Sequence, residues 1–199
     1  MQQEIRFATF NVCNLAPPGA RLYDNLEPST PEEYEAKIAW TARQIDILNA
    51  DVIGFQEVFS QAALAEALSR TRRYREALHV GFDPDPHADK LTPSVALVSR
   101  LPLAATPEPI PHFPAGITMP PGNRDPERFT RAPLHAQIRL APDLVADVLV
   151  VHLKSRRPDF RADDSGDDPQ LFALASLRSL IRRGTEAAAL RVILSTLRR

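Results

Sequence analysis

In the first 70 residues, the spacing of apolar residues alternates between that of a strand and that of a helix. This alternation limits the possible folds more than any other feature. Residues 4–12 (EIRFATFNV) carry the aromatic and β-branched residues typical of a strand, and residues 51–58 (DVIGFQEV) form a second short run that we expect to be buried. Apolar residues at helical spacing separate the two runs, and another helix is expected at residues 60–69. The order strand, helix, strand, helix predicts an α/β protein.

The first helix has a strong start signal. Thr30 is suited to the N-cap, Pro31 to the first helical position, and Glu33 to the acidic position of a capping box. The apolar face that follows, expected to pack under a sheet, consists of Tyr34, Ile38, Ile45 and Leu48.

The remainder of the chain is richer in strands. We predict them at residues 74–80, 94–99, 131–140 and 145–153. Residues 107–126 are studded with prolines, which excludes a central strand there. From about Pro169 a helix with a break or kink at Gly184 is predicted to run to the end. Its helical spacing is carried by Leu171, Leu174, Leu177, Ile181, Leu190, Ile193 and Leu197.

Composition fits one soluble globular domain of 199 residues, with 44% hydrophobic and 25% charged residues. Lys plus Arg (24) nearly balance Asp plus Glu (25), so there is no global field for a polyanion and any nucleic-acid contact must be local. The single Cys13, expected to be a small packed residue, excludes an internal disulfide framework. An export signal and an apolar run of about 20 residues are not seen, so a cytoplasmic location is expected.

Three of the predicted strands end in polar residues of catalytic type: Asn11, Glu57 and His152. Ligands of α/β proteins collect at the carboxyl ends of strands. Each residue also has a simpler explanation. Asn11 would satisfy backbone groups where a strand turns, Glu57 would pair with an arginine, and His152 would be a half-exposed histidine with one hydrogen bond. The occurrence of all three together favours a shared site.

Five segments occur in the order TFNVCNL, ADVIGFQEV, VALVSRLPL, FTRAPLHAQI and VVHLKSRRP. This order and the approximate spacing of the segments resemble those of the endonuclease/exonuclease/phosphatase superfamily. The chain resembles these deoxyribonuclease-I-like proteins from residue 5 to residue 158. The resemblance implies an α/β (α+β) fold, a four-layer sandwich of two mixed sheets flanked by helices, incomplete at the C-terminus. Residues 1–199 would form a single such domain. It also implies hydrolysis of a phosphodiester or phosphomonoester that depends on a divalent metal, Mg²⁺ or Mn²⁺.

The resemblance also implies roles for individual residues. Glu57 matches the metal-binding glutamate, and His152 and Asn11 match catalytic residues, with His152 contacting the scissile phosphate. Lys154 and Arg131 are candidate substrate-binding residues, although Arg131 is equally suited to structural pairing with an acid. Mg²⁺ commonly takes one or two carboxylates together with water and phosphate oxygens, and an imidazole can exchange a proton. The substrate stays open among nucleic acid, nucleotide, sugar phosphate and lipid headgroup.

Two motifs of the family are not found in the sequence: a strand ending in Gly-Asp-x-Asn and a later Ser-Asp-His. We therefore expect the chain to be the N-terminal portion of a longer protein, or a shortened version of one. In the family, these motifs position the attacking water and supply the general base. Loss of a general base lowers the rate by about 10² to 10⁴, so the chain alone is expected to be nearly inactive. An unfinished sheet edge is expected to favour self-association. The alternatives are a non-catalytic binding or assembly module that keeps the fold, and a metal-independent hydrolase using His152 with an acid.

Overall fold

The structure is a computed structural model that describes residues 4–85, 87–120, 126–161, 164 and 166–197. The chain divides into two compact units. The first consists of Met1–Pro109 and Pro133–His152, and the second of Ile110–Ala132 and Leu153–Arg199. That the 199 residues act as a single domain stays a prediction.

The first unit contains a four-stranded sheet in the order β1-β2-β4-β3. Its strands are β1 (Phe7–Leu15), β2 (Val52–Val58), β3 (Leu78–Gly81) and β4 (Ser94–Ser99). β1 and β2 are parallel, whereas β4 runs antiparallel to both β2 and β3, so this sheet is mixed as predicted. The carboxyl ends of β1 and β2 therefore meet at one edge of the sheet.

A second sheet in the same unit has the order β5-β6-β7. It consists of β5 (Glu108–Pro109), β6 (Leu134–Ala141) and β7 (Leu144–Val150). Both of its strand pairs are antiparallel, so the prediction of a second mixed sheet is wrong for the described residues. The reason is the two-residue connection between β6 and β7, since so short a turn joins only antiparallel neighbours.

Two helices of the first unit, α1 (Pro31–Leu48) and α2 (Gln61–Ser69), begin where the sequence indicates. The capping box is confirmed, because Thr30 Oγ1 accepts the Glu33 N–H at 3.2 Å and the Glu33 carboxylate accepts the Thr30 N–H at 2.9 Å. The predicted apolar face is wrong at Leu48, which is exposed where the helix ends at a left-handed C-cap.

Apolar layers cover both faces of the first sheet. The layer shared with α1 and α2 includes Ile53, Phe55, Val98, Ile38, Ile45 and Leu64. The opposite layer joins the two sheets and includes Val52, Val95, Leu97, Leu134, Ile138 and Val150. The unit is therefore an α+β arrangement of helices, mixed sheet and antiparallel sheet, which agrees with the predicted fold class. Self-association through an unfinished edge of the second sheet stays a prediction.

In the second unit, α3 (Pro169–Leu197) is one helix of 29 residues. The predicted break at Gly184 is wrong, because glycine costs only about 1 kcal/mol in a helix and keeps its N–H donor. Its buried positions are not the leucines of the apolar pattern but Ala175, Ser179, Arg182, Glu186 and Ala189. Among the helices of the described residues, none is both long enough and apolar enough to cross a membrane.

Candidate active site

Asn11, Glu57 and His152 lie together in the first unit. Asn11 Nδ2 donates a hydrogen bond to Glu57 Oε1 at 2.9 Å, and His152 Nε2 lies 3.8 Å from the same oxygen. Asn11 and Glu57 come from the parallel strands β1 and β2, whereas His152 follows the last residue of β7 by two positions. The structure thus brings together three side chains that are as much as 141 residues apart in sequence, between Asn11 and His152.

Glu57 lies on a β-bulge. The pairing of β2 with β4 is regular up to Gln56 and shifts before Val58, and Glu57 in between has a left-handed backbone with φ of 60°. Phe55 and Val58 both pack in the helix-side core, although residues three apart in a regular strand face opposite sides. The bulge therefore keeps the core continuous while it turns the glutamate away from it.

The end of β1 is irregular in the same way. Cys13 and Asn14 have φ of 53° and 61°, and the pairing with β2 shifts between Asn11 and Leu15. Asn11 Oδ1 accepts the Cys13 N–H at 2.8 Å, which leaves the Asn11 NH₂ group directed at Glu57. Asn11 therefore satisfies a backbone group at the turn and also orients the carboxylate. Cys13 is exposed, so the expectation that it is packed is wrong.

The carboxylate and the imidazole are held but remain accessible. The side chain of Glu57 is 24% exposed and that of His152 is 18% exposed. In the described part of the chain, no arginine or lysine forms an ion pair with Glu57, so the simpler explanation by an arginine partner is not observed. Asn11 and His152 both approach Oε1, and Oε2 carries neither of these contacts.

The donor set at Glu57 fits a hard cation that retains water. Across residues 4–85, 87–120, 126–161, 164 and 166–197, no group of three or more His, Cys, Asp or Glu side chains is placed to hold a metal ion. A closed structural zinc site would need such a group. Mg²⁺ and Mn²⁺ accept a single carboxylate when water and phosphate oxygens complete the shell. Glu57 would hold the ion, because it supplies the carboxylate among the three side chains that meet here.

Arg131 and Lys154, the candidate substrate-binding residues, belong to the second unit. An Arg131 guanidinium nitrogen donates to the Leu153 carbonyl at 3.4 Å, and its buried Nε has no hydrogen-bond partner within the described residues. Lys154 Nζ donates to Ser179 Oγ and to the Arg157 carbonyl, each at 3.3 Å. Burial lowers the pKa of the Lys154 ammonium below its ordinary value.

Glu186 has little signal in the sequence, yet its carboxylate connects two segments of the second unit. It is 1% exposed, and its two oxygens accept the main-chain N–H groups of Thr130 at 2.8 Å and Lys154 at 2.6 Å. Arg182 Nε lies 3.7 Å from Glu186 Oε1. The buried carboxylate therefore fixes the two segments that carry Arg131 and Lys154. The only sequence signal is the spacing of four residues between Arg182 and Glu186, which permits pairing on one helix face.

No known protein family profile and no curated protein matches this sequence. One similar solved structure is an endonuclease/exonuclease/phosphatase family protein from Leptotrichia buccalis C-1013-b, with 15% identity and a TM-score of 0.46. That match covers 88% of this chain and 61% of the solved one. Another is an endonuclease/exonuclease/phosphatase from Beutenbergia cavernae DSM 12333, with 17% identity and a TM-score of 0.45, covering 96% of this chain and 43% of the solved one. This chain thus spans about three fifths and two fifths of their lengths.

Proposed function

We propose that this chain provides the metal-binding and phosphate-contacting side chains of a divalent-metal-dependent phosphoesterase of the endonuclease/exonuclease/phosphatase type. The observation that supports the proposal is the convergence of Asn11 and His152 on one oxygen of Glu57, at 2.9 and 3.8 Å. Glu57 would hold Mg²⁺ or Mn²⁺. Such an ion, when bound, stabilises negative charge on the phosphoryl oxygens of an ester.

The protein side chains have separate tasks in this proposal. Asn11 keeps the Glu57 carboxylate in place, because its own amide is fixed by the Cys13 N–H. The ring of His152 lies near Glu57, and its side chain is 18% exposed. From that position the imidazole can donate a hydrogen bond to a phosphoryl oxygen or transfer a proton during ester cleavage.

Arg131 and Lys154, which belong to the second unit, are proposed as substrate-binding residues. A guanidinium and an ammonium group both form charge-assisted hydrogen bonds with phosphate oxygens. We propose a phosphate ester as the substrate: a nucleic acid, nucleotide, sugar phosphate or lipid headgroup.

A non-catalytic binding module with the same fold is the second candidate. It is favoured by the single carboxylate at the candidate metal site, since the described residues provide no group of three metal ligands. In that case Mg²⁺ would leave the melting temperature unchanged and no phosphoester would be cleaved.

The test is hydrolysis of bis(p-nitrophenyl) phosphate and p-nitrophenyl phosphate by the purified chain, with Mg²⁺, with Mn²⁺ and with a chelator. We expect slow hydrolysis that the chelator abolishes and that Glu57→Gln or His152→Ala reduces by about 10² or more. Asp147→Asn is the matched control, because Asp147 pairs with His135 at 2.8 Å in a second carboxylate–imidazole pair of the first unit. Equal rates in all four proteins would exclude the proposed site.

A further inference from the structure

Three hydrogen bonds link the interior of the first unit to the backbone next to Glu57. Ser94 Oγ donates to the Val58 carbonyl, Gln61 Nε2 donates to Ser94 Oγ, and His79 Nε2 donates to Gln61 Oε1, each at 2.9 Å. The Val58 carbonyl fixes which groups donate. A carbonyl can only accept, so the Ser94 hydroxyl donates to it and accepts from the Gln61 amide. We call these three side chains the Ser94 relay.

The bulge at Glu57 creates the need for such a donor. Ser94 lies opposite Val58 in β4, at the position where the pairing with β2 shifts. An extra residue in one strand disrupts the regular ladder at that point, and a buried carbonyl there needs another donor. Ser94, which is 2% exposed, supplies it from its side chain. The left-handed conformation of Glu57 persists only where its surroundings fix it.

Gln61 is itself held from several sides. Its main-chain N–H donates to Asp83 Oδ1 at 2.9 Å, and its Nε2 also lies 3.4 Å from the carbonyl oxygens of Phe82 and Val95. Gly81 provides the space, because a Cβ there would lie 2.0 Å from Gln61 Oε1. The amide that positions the Ser94 hydroxyl therefore has little freedom to reorient.

We propose that Ser94, supported by Gln61 and His79, is a positioning residue for Glu57: it fixes the bulge that directs the carboxylate towards Asn11 and His152. For its effect on metal binding, this inference rests on the proposed function of Glu57. None of the three relay side chains needs to touch the metal or the substrate.

Ser99 provides a matched control at the other end of β4. It is 0% exposed and its Oγ donates to the Leu101 carbonyl at 2.7 Å, but it lies opposite Val52, at the end of β2 remote from Glu57. Ser94→Ala and Ser99→Ala each remove one buried hydroxyl from one carbonyl. We expect both to lower the melting temperature, and only Ser94→Ala to weaken Mn²⁺ binding, by about 10- to 100-fold. Electron paramagnetic resonance of free Mn²⁺ measures the affinity.

Ser94→Thr retains the hydroxyl, so its Mn²⁺ affinity should be closer to that of the wild type than to that of Ser94→Ala. Where the wild type binds Mn²⁺, equal affinity in Ser94→Ala and Ser99→Ala would show that Ser94 has no effect on metal binding.

A metal-free measurement separates this inference from the proposed function. In the NMR spectrum of the metal-free protein, the side-chain NH₂ resonances of Asn11 should shift in Ser94→Ala and stay unchanged in Ser99→Ala, because Asn11 donates to Glu57. If the wild type binds no Mn²⁺ but these resonances shift, the positioning role stands and the metal function fails. If the wild type binds Mn²⁺ and neither property distinguishes the two variants, the positioning role fails.

Discussion

Glu57 in the first unit and Glu186 in the second are carboxylates in contrasting environments. Glu57 is partly exposed, and an amide and an imidazole approach one of its oxygens. Glu186 is buried, and each of its oxygens accepts a main-chain N–H, with Arg182 alongside. Fixed donors occupy both oxygens of Glu186, which suits it to a structural role. Access and contacts, rather than residue type, therefore identify Glu57 as the candidate ligand.

The backbones of the two residues differ in the same sense. Glu57 has a left-handed conformation on a bulge, which costs a non-glycine residue about 1 to 3 kcal/mol. Glu186 lies within the regular helix α3, where its backbone is unstrained. Strained conformations cluster at functional sites because they place a side chain where regular structure would not. We therefore expect Glu186 to contribute to stability and Glu57 to contribute to metal binding.

The largest expected difference is in stability. Glu186→Gln should lower the free energy of unfolding by about 3 to 5 kcal/mol, because it removes the buried negative charge beside Arg182 and turns an amide NH₂ towards one of the two main-chain N–H groups. Glu57→Gln should change it by less than about 0.5 kcal/mol, as is usual for an accessible side chain. Urea denaturation of both variants measures the two values. A loss at Glu57 as large as that at Glu186 would contradict the contrast.

Ligand binding should show the reverse order. At a free Mg²⁺ concentration of about 100 times Kd, binding should raise the free energy of unfolding of the wild type by about 2.7 kcal/mol. Glu57→Gln should abolish this increase, whereas Asp147→Asn should retain it because Asp147 pairs with a different histidine, His135. Thermal denaturation with and without Mg²⁺ measures the effect. A similar increase in Glu57→Gln would remove Glu57 as the metal ligand.

The backbone difference predicts that replacing alanine with glycine has opposite effects on stability at the two positions. At Glu57, where φ is 60°, glycine should be more stable than alanine by about 1 kcal/mol. At Glu186, inside a helix, glycine should be less stable than alanine by about 1 kcal/mol. Each comparison uses two variants that both lack the carboxylate, so its loss cancels. The same sign at both positions in urea denaturation would show that the bulge is not strained.

The sequence predicts one of these regions better than the other. The start of α1 is encoded within four residues, Thr30 to Glu33, and Glu57 is recognisable as an acid that ends a buried strand. The bulge is less evident, although Phe55 and Val58, three residues apart and both apolar, already break strict alternation. The local signal at Glu186 is limited to its spacing from Arg182, because its main-chain partners Thr130 and Lys154 lie 56 and 32 residues away. A charge in an amphipathic helix is ordinarily solvated.

The two long-range contacts of Glu186 also explain why α3 buries small and charged residues instead of its leucines. A helix face is selected by what lies opposite it, and here main-chain N–H groups lie opposite Glu186, while the main-chain carbonyls of Pro126 and Arg128 accept from Arg182. Hydrophobic periodicity along one segment cannot reveal such polar partners. The same limit applies to Ser94, whose role depends on an irregularity in the neighbouring strand.

The smallest expected effect is a dependence of stability on pH, which we expect in the unit that contains Glu57. Burial lowers the pKa of His79, the last member of the Ser94 relay, although the charge of Asp83 opposes the shift. The unfolded chain therefore binds a proton at about pH 6.5 more readily than the folded one, so stability should fall as the pH decreases through this value. His79→Gln should reduce that fall, as measured by the urea midpoint between pH 7.5 and 5.5. His79 lies in the same unit as Glu57, and Glu186 lies in the other unit, so we expect this fall to be a property of the first unit.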